Sequence, residues 1–332
     1  MEALSVETIP TGAQWRYEPK WDGFRCIVFR DEKKISLQSK SGRPLTRYFP
    51  ELVAAAGTLK ARKFVLDGEI AIPIHKAFSF DALLQRIHPA ASRIRRLAEE
   101  TPAILIVFDL LVDENGRSLI RLSLDERRQA LECFIDRFGQ GSEIVRLSPS
   151  SLKVADAKRW LKRSGGALDG VVAKRRDVAY RSGERDGMQK IKLLRSADCV
   201  IGGFRYNEGR RVVGSLLLGL YDAEGRLDHV GFTATIKNAD KAALTKKLEA
   251  IAGPPGFTGA APGGPSRWST KRSATWTPVE PKLVVEVCYD HFTGDRFRHG
   301  TRLMRWRPDK APRQCTLDQV KQKKANLLSL LG

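Results

Sequence analysis

The chain has 332 residues, 42% of them hydrophobic and 29% charged, which fits a soluble globular protein of two ordinary domains. No apolar run reaches the roughly 18 residues that a membrane-spanning helix needs. Lysine and arginine number 58 against 38 aspartates and glutamates, a net charge of +20. Such an excess favours a polyanionic partner, because neutralised phosphates release their counterions. No strongly amphipathic basic helix stands out, which argues against a membrane surface as that partner.

In chain order, Gly23–Arg30 and Lys34–Lys40 flank Asp31-Glu32-Lys33 and read as a hairpin. Pro50–Leu59 reads as a short helix opened by proline. Phe64–Ile72 is an apolar strand interrupted by Asp67 and Glu69, Asp81–Leu97 a helix, and Ala103–Leu111 a buried strand. Ser123 and Glu126 form a capping box for a helix reaching about Phe138. Leu152–Arg163 is a further helix, and Leu168–Arg175 and Met188–Leu194 are strands.

From about Asp198 the chain becomes β-rich, with strands at Val200–Arg205, Ser215–Tyr221, His229–Thr235, Leu283–Tyr289 and Arg302–Trp306. Asp222-Ala-Glu-Gly225 reads as a hairpin turn, Asp240–Ile251 as the one intervening helix, and Gly253–Pro265 as a mobile Gly/Pro-rich loop. Thr316–Leu331 reads as a terminal helix. The fold class is α+β, with residues 1–194 a domain of antiparallel sheets and helices. Residues 195–332, about five strands and a helix, suit a small β-barrel of the OB type. No internal repeat and no phosphate-binding Walker loop occurs.

The cysteines (Cys26, Cys133, Cys199, Cys288 and Cys315) are scattered, and no C-x-x-C pair suggests zinc. Reduced, buried thiols in a cytoplasmic protein fit best, and the N-terminal residues lack the pattern of a secretory signal.

The run EPKWDGFR, Glu18–Arg25, places Lys20 at the end of a strand and just before a turn-forming Asp-Gly. That suits an amine attacking a phosphate, provided desolvation or nearby cations let it shed its proton. Asp67 and Glu69 lie on one side of a strand, because side chains repeat every second residue. Glu69 could hold a ribose or Mg²⁺, or both carboxylates could form a polar strand end. Phe108 could stack on a base or fill the core. Asp169 opens a strand that also carries Lys174. Lys190 and Lys192 put two cations on one strand face, an arrangement that an intervening triphosphate would relieve and that a solvated face would also tolerate.

Taken in order, KWDGFR, SKSGRPLTRYFPEL, VLDGEI, VFDLL, DGVVAKR, MQKIK and RLMRWRPDK resemble the motif series of the ATP-dependent DNA ligases, within the covalent nucleotidyltransferase superfamily. A K-x-D-G tetrad alone is unspecific; the ordered series spans nearly the whole chain. The short form is similar to the bacterial LigC type. The resemblance implies ATP and Mg²⁺ (or Mn²⁺) as cofactors, nicked duplex DNA as partner, a monomer, and a role in DNA repair.

It also implies that Lys20 carries AMP, that Glu18 reads the adenine amino group, and that Arg25 contacts phosphate or ribose. Glu69 becomes the ribose and metal contact, Phe108 the adenine-stacking ring, and Asp169 a metal ligand where the family usually has glutamate. Lys174 joins the nucleotide-binding set, and Lys190 and Lys192 the phosphate contacts. Lys40 stands where many relatives have arginine, keeping the charge but not the bidentate fork. Met188 replaces an aromatic residue. Arg305, Arg307, Asp309 and Lys310 match the segment that orients pyrophosphate, with a hinge expected near Arg195-Ser196. The basic runs Arg93–Arg96, Lys158–Arg163 and Arg210-Arg211 are either DNA-phosphate contacts or solubilising faces. Related readings are an ATP-dependent RNA ligase, which stays open as the alternative, and a GTP-using capping enzyme, against which Glu18 and Arg305–Lys310 speak. A non-catalytic nucleic-acid-binding protein is disfavoured by the intact Lys20, Glu69, Lys190 and Lys192.

Overall fold

The computed structural model describes residues 1–163, 168–263, 275–321 and 326–331. It divides into two compact units, Met1–Leu193 with Gln322–Gly332, and Leu194–Lys321. The second unit therefore ends before the chain does, whereas the sequence suggested that it runs to residue 332 and closes on a helix. Residues 317–320 and 328–330 form single 3₁₀ turns instead, and residues 322–325 lie outside the described set. The apolar tail needs a core. Leu327 and Leu331 are buried in one with Trp21, Ile104 and Ile106, and Leu327 N–H donates to the Lys76 carbonyl at 2.8 Å.

The first unit holds two main sheets. One orders Leu4–Ser5, Met188–Lys192, Gly170–Arg175 and Trp15–Lys20; the other orders Lys34–Ser39, Phe24–Asp31, Lys63–Ala71, Ile104–Val112 and Val145–Leu147. Pairing is antiparallel except at Leu4–Ser5 and Val145–Leu147. Phe24–Asp31 and Lys34–Ser39 form a hairpin whose turn is made by Glu32, at φ 52°, and Lys33. The capping box is present: Glu126 N–H donates to Ser123 Oγ at 3.3 Å, and Ser123 N–H to Glu126 Oε2 at 2.8 Å. It opens the helix Leu124–Phe138.

The expected Asp81–Leu97 helix is two helices, Phe80–Gln85 and Ala91–Glu100. Pro89 lies between them; it has no N–H to give and disfavours helical geometry at His88.

Strand alternation sets the faces of the four-stranded sheet. Tyr17, Val171 and Ala173 pack with Ala157 of the helix Val154–Arg163. The residues between them, Glu18, Lys20, Val172, Lys174 and Lys190, line a cleft on the opposite face.

The second unit is built on an antiparallel sheet in the order Leu227–Thr233, Arg210–Tyr221, Arg195–Asn207, Val284–Tyr289, Arg302–Trp306, with the helix Lys241–Glu249 against Arg210–Tyr221. The two edge strands approach one another at a single bridge, Thr233–Thr301. Its core combines aliphatic residues such as Leu216, Leu218, Val230 and Val285 with the rings of Phe204, Phe257 and Phe297. Within the Gly/Pro-rich run, residues 264 and 265 lie outside the described set. Cys26, Cys199 and Cys315 are buried, but Cys133 is exposed and Cys288 half-buried, so the expectation of buried thiols holds for only part of the set.

Candidate active site

The Trp15–Lys20 strand ends one sheet of the first unit, and after three intervening residues Phe24 begins a strand of the other. Trp21-Asp22-Gly23 is thus the crossover between sheets. Glycine is required there, since a Cβ on Gly23 would lie 2.1 Å from the Ile70 carbonyl oxygen. Trp21 anchors the turn through an edge contact with Phe78, ring centroids 5.7 Å apart, and an Nε1–H bond to Ser148 Oγ at 3.0 Å. Lys20 is held at the mouth of the crossover, its side chain 24% exposed. Its ammonium forms an ion pair with the buried Asp169 carboxylate. Gly170, opposite Lys20 in register, has φ 151°, and a Cβ there would meet the Ile191 carbonyl at 2.0 Å, so the strand can pass this close only as glycine.

The cleft beside Lys20 holds about 210 Å³, somewhat below the usual range for small-ligand sites. Glu18, two residues before Lys20, is buried in its wall; Lys174 Nζ donates to Glu18 Oε2 at 2.8 Å, while Oε1 accepts no hydrogen bond. Glu69 stands on the facing strand. Burial pushes its carboxyl up to about 8, against the pull of Lys20 and Arg25. Phe108 reaches the cleft because the register slips from Asp67–Asp109 to Gly68–Val107, leaving Phe108 as a bulge. Val107 and Asp109 are buried on either side, and Lys174 Nζ sits 4.5 Å from the Phe108 ring centroid.

A cluster of cations borders this wall. Burial lowers the Lys190 amine from its ordinary value, and Lys20, Lys192 and Lys40 lower it further. An anion seated beside Lys190 would relieve that repulsion. Lys40 currently pairs with Glu2 at 2.7 Å; hydrogen bonds from Lys40 and Arg185 hold that carboxyl down to about 2. Lys192 lies across Gly170 from Lys20 in the ladder, yet it does not line the cleft.

An amine, a buried carboxylate oxygen without a hydrogen bond, a projecting ring and clustered lysines thus meet in one cleft. Residues 3–192 match the ATP dependent DNA ligase domain, and residues 209–310 the ATP dependent DNA ligase C terminal region. The chain belongs to the ATP-dependent DNA ligases, in their short bacterial LigC form. DNA ligase C2 of Mycolicibacterium smegmatis is 43% identical over 340 residues, covering 96% of this chain and 93% of that protein. DNA ligase C of Mycobacterium tuberculosis is 42% identical over 341 residues, covering 97% and 93%. A solved structure of a Lig E DNA ligase, at 14% identity and TM-score 0.56, covers 92% of this chain and all of that one, a likeness of fold alone.

The ligase supports its cleft with residues whose part was not legible in the sequence. Arg25 lines the cleft, but its guanidinium forks onto Asp67, Nε to Oδ1 at 3.0 Å and Nη2 to Oδ2 at 2.6 Å. Burial works against that charge; Asp67 more than offsets it and holds the guanidinium proton tightly. Tyr180 Oη donates to Asp67 Oδ2 at 2.8 Å. Behind them Arg127 forks onto Asp109 at 2.9 and 3.1 Å, fixing the strand on one side of the Phe108 bulge. Asp67 was visible as a strand carboxylate, whereas nothing local marked Tyr180, Arg127 or Glu2.

Arg305, Arg307, Asp309 and Lys310 belong to the second unit and make ion pairs inside it. Arg305 bonds Glu286 at 2.6 Å, Arg307 bonds Asp309 and Asp198, and Lys310 bonds Asp198 at 2.7 Å.

Proposed function

We propose that Lys20 takes AMP from ATP and passes it to the 5′-phosphate of a nick in duplex DNA. The convergence of Lys20, Glu18, Glu69, Phe108 and Lys190 on one cleft, from strands far apart in the chain, carries this reading. In the first step the Lys20 Nζ lone pair attacks the α-phosphorus. A P–N bond forms, the α–β P–O bond breaks, and pyrophosphate leaves. In the second, a 5′-phosphate oxygen displaces Lys20 from phosphorus, and the amine takes up a proton. In the third, the 3′-hydroxyl attacks the activated 5′-phosphate, AMP leaves, and the phosphodiester is closed.

The protein contributes position and charge rather than covalent chemistry beyond Lys20. Phe108 stacks on the base and Glu18 Oε1 accepts from its amino group. Arg25 and Glu69 face the ribose and α-phosphate, and Lys174 fixes Glu18. Lys40 and Lys190, which line the cleft, neutralise the phosphates, and Lys192 joins them on the family resemblance alone. Glu69 and Asp169 supply the carboxylate oxygens that Mg²⁺ or Mn²⁺ prefers, and a bound ion would there offset phosphate charge. Arg305, Arg307, Asp309 and Lys310 are assigned to the leaving pyrophosphate, on the family resemblance. The same resemblance supports DNA repair as the setting and a monomer as the working form.

The test is incorporation of label from α-phosphate-labelled ATP, followed by sealing of nicked duplexes. Wild-type protein should acquire one acid-labile, alkali-stable adenylate, as a phosphoramidate must be, and close the nick. Lys20→Ala should do neither, and label on that variant would remove the assignment.

A further inference from the structure

A second buried arginine lies behind the adenine end of the cleft, and nothing above gives it a role. Arg128 sits on the capped Leu124–Phe138 helix and is 3% exposed. Two of its nitrogens are committed: Nε donates to Glu132 Oε1 at 2.6 Å, and Nη2 to the Ser148 carbonyl at 2.8 Å. The third, Nη1, makes no hydrogen bond and points at Glu18 Oε1 from 3.9 Å. That oxygen is the one on Glu18 with no partner, Oε2 being taken by Lys174.

Two opposite charges therefore face each other inside the protein, close enough to attract and too far apart to bond. Buried polar atoms are almost always satisfied, so an unpartnered pair signals a missing occupant. A directly bonded Arg128 would consume the lone pair that the base requires. Set back at 3.9 Å, it supplies balancing charge and leaves the Oε1 lone pairs without a hydrogen bond in the cleft wall. Its rigid fork matters, because Ser148 also accepts from Trp21, so the guanidinium is tied to the same crossover that carries Lys20.

We infer that Arg128 is the positioning residue for purine selection: through Glu18 it makes the site choose a base bearing a 6-amino donor and reject one that presents a 6-oxo acceptor. The inference rests on the adenylylation reading and deepens it. Arg128 acts through Glu18 and does not touch the nucleotide.

The experiment compares ATP with purine riboside 5′-triphosphate, which lacks only the 6-amino group, as donors for the covalent adduct, with kcat/KM read by mass spectrometry of the intact protein. Wild type should prefer ATP by roughly 10- to 100-fold, the range of a hydrogen bond to a charged group. Arg128→Gln should bring that preference to within about threefold, while Arg128→Lys should retain more of it. Equal slowing of both donors by Arg128→Gln, with the preference intact, would mean a merely structural arginine and would overturn the inference. Should Arg128→Gln fail to fold, Glu132→Gln substitutes for it, since this half-exposed partner can be neutralised without opening the core. Its preference should fall by at least about threefold, and no change would again overturn the inference. A wild type that does not discriminate also defeats it. A wild type that forms no adduct with either nucleotide defeats the adenylylation reading, and the inference with it.

Discussion

Glu69→Gln should remove the fall in this protein's stability that Glu69 causes between about pH 5 and 8. The Glu69 carboxyl is lifted from 4.5 to about 8, chiefly by burial. In that window the folded state keeps a proton that the unfolded chain releases, so wild-type stability falls as pH rises. At about 1.4 kcal/mol per pH unit, the full effect is at most about 5 kcal/mol, reached near pH 8 and absent below about pH 4.5. Coupling to Lys20 and Arg25, and relaxation of the cleft wall, will shrink this to a few kcal/mol. Glutamine has no proton to lose and should be flat over the same window, matching wild type at pH 4.5 and exceeding it at pH 8.

Urea denaturation followed by circular dichroism at pH 5, 6, 7 and 8, with hydrogen exchange on the Lys63–Ala71 strand to isolate the first unit, gives the difference directly. Parallel curves for the two proteins would refute the burial argument. The same substitution should abolish any stabilisation of the wild type by Mg²⁺ at pH 8, because it removes one of the two carboxylates assigned to the ion.

Asp67→Ala leaves Arg25 charged in the cleft wall with its fork empty. The first unit should lose about 3–5 kcal/mol, seen as a lower midpoint in urea. Phe108→Ala should raise the KM for ATP in adduct formation by roughly tenfold or more, the worth of one base–aromatic stack, with a smaller change in the maximal rate. Ser123→Ala should cost about 1 kcal/mol through the lost helix cap and leave adduct formation unchanged. With a net charge of +20, binding to nicked duplex should weaken steeply and linearly on a log–log plot against salt, whereas a flat dependence would exclude phosphate contacts as the main source of affinity.

Much of the site was legible residue by residue. Lys20 at a strand end, the same-side pair Asp67 and Glu69, and the same-face pair Lys190 and Lys192 follow from a period of two. The capping box at Ser123 is equally local. The helix expected over Asp81–Leu97 runs through Pro89, and the missing N–H there divides it in two. The terminal helix expected over Thr316–Leu331 gives way to short 3₁₀ turns because Leu327 and Leu331 are held by a core formed elsewhere in the chain. Their partners, Trp21 and Ile104 among them, lie more than two hundred residues upstream.

The sequence by itself determined which side chains share a strand face, where turns demand glycine, and that a lysine ends the first long strand of a basic chain. Those outcomes depend on neighbours a few residues apart, where backbone geometry is fixed. Only the tertiary structure decided which charges meet. Asp169 reaches Lys20, Lys174 takes one oxygen of Glu18 across 156 residues of chain, and Arg128 stands back from the other. Coulomb attraction and desolvation act through distance in space, and the approach of strands and helices from remote parts of the chain sets that distance.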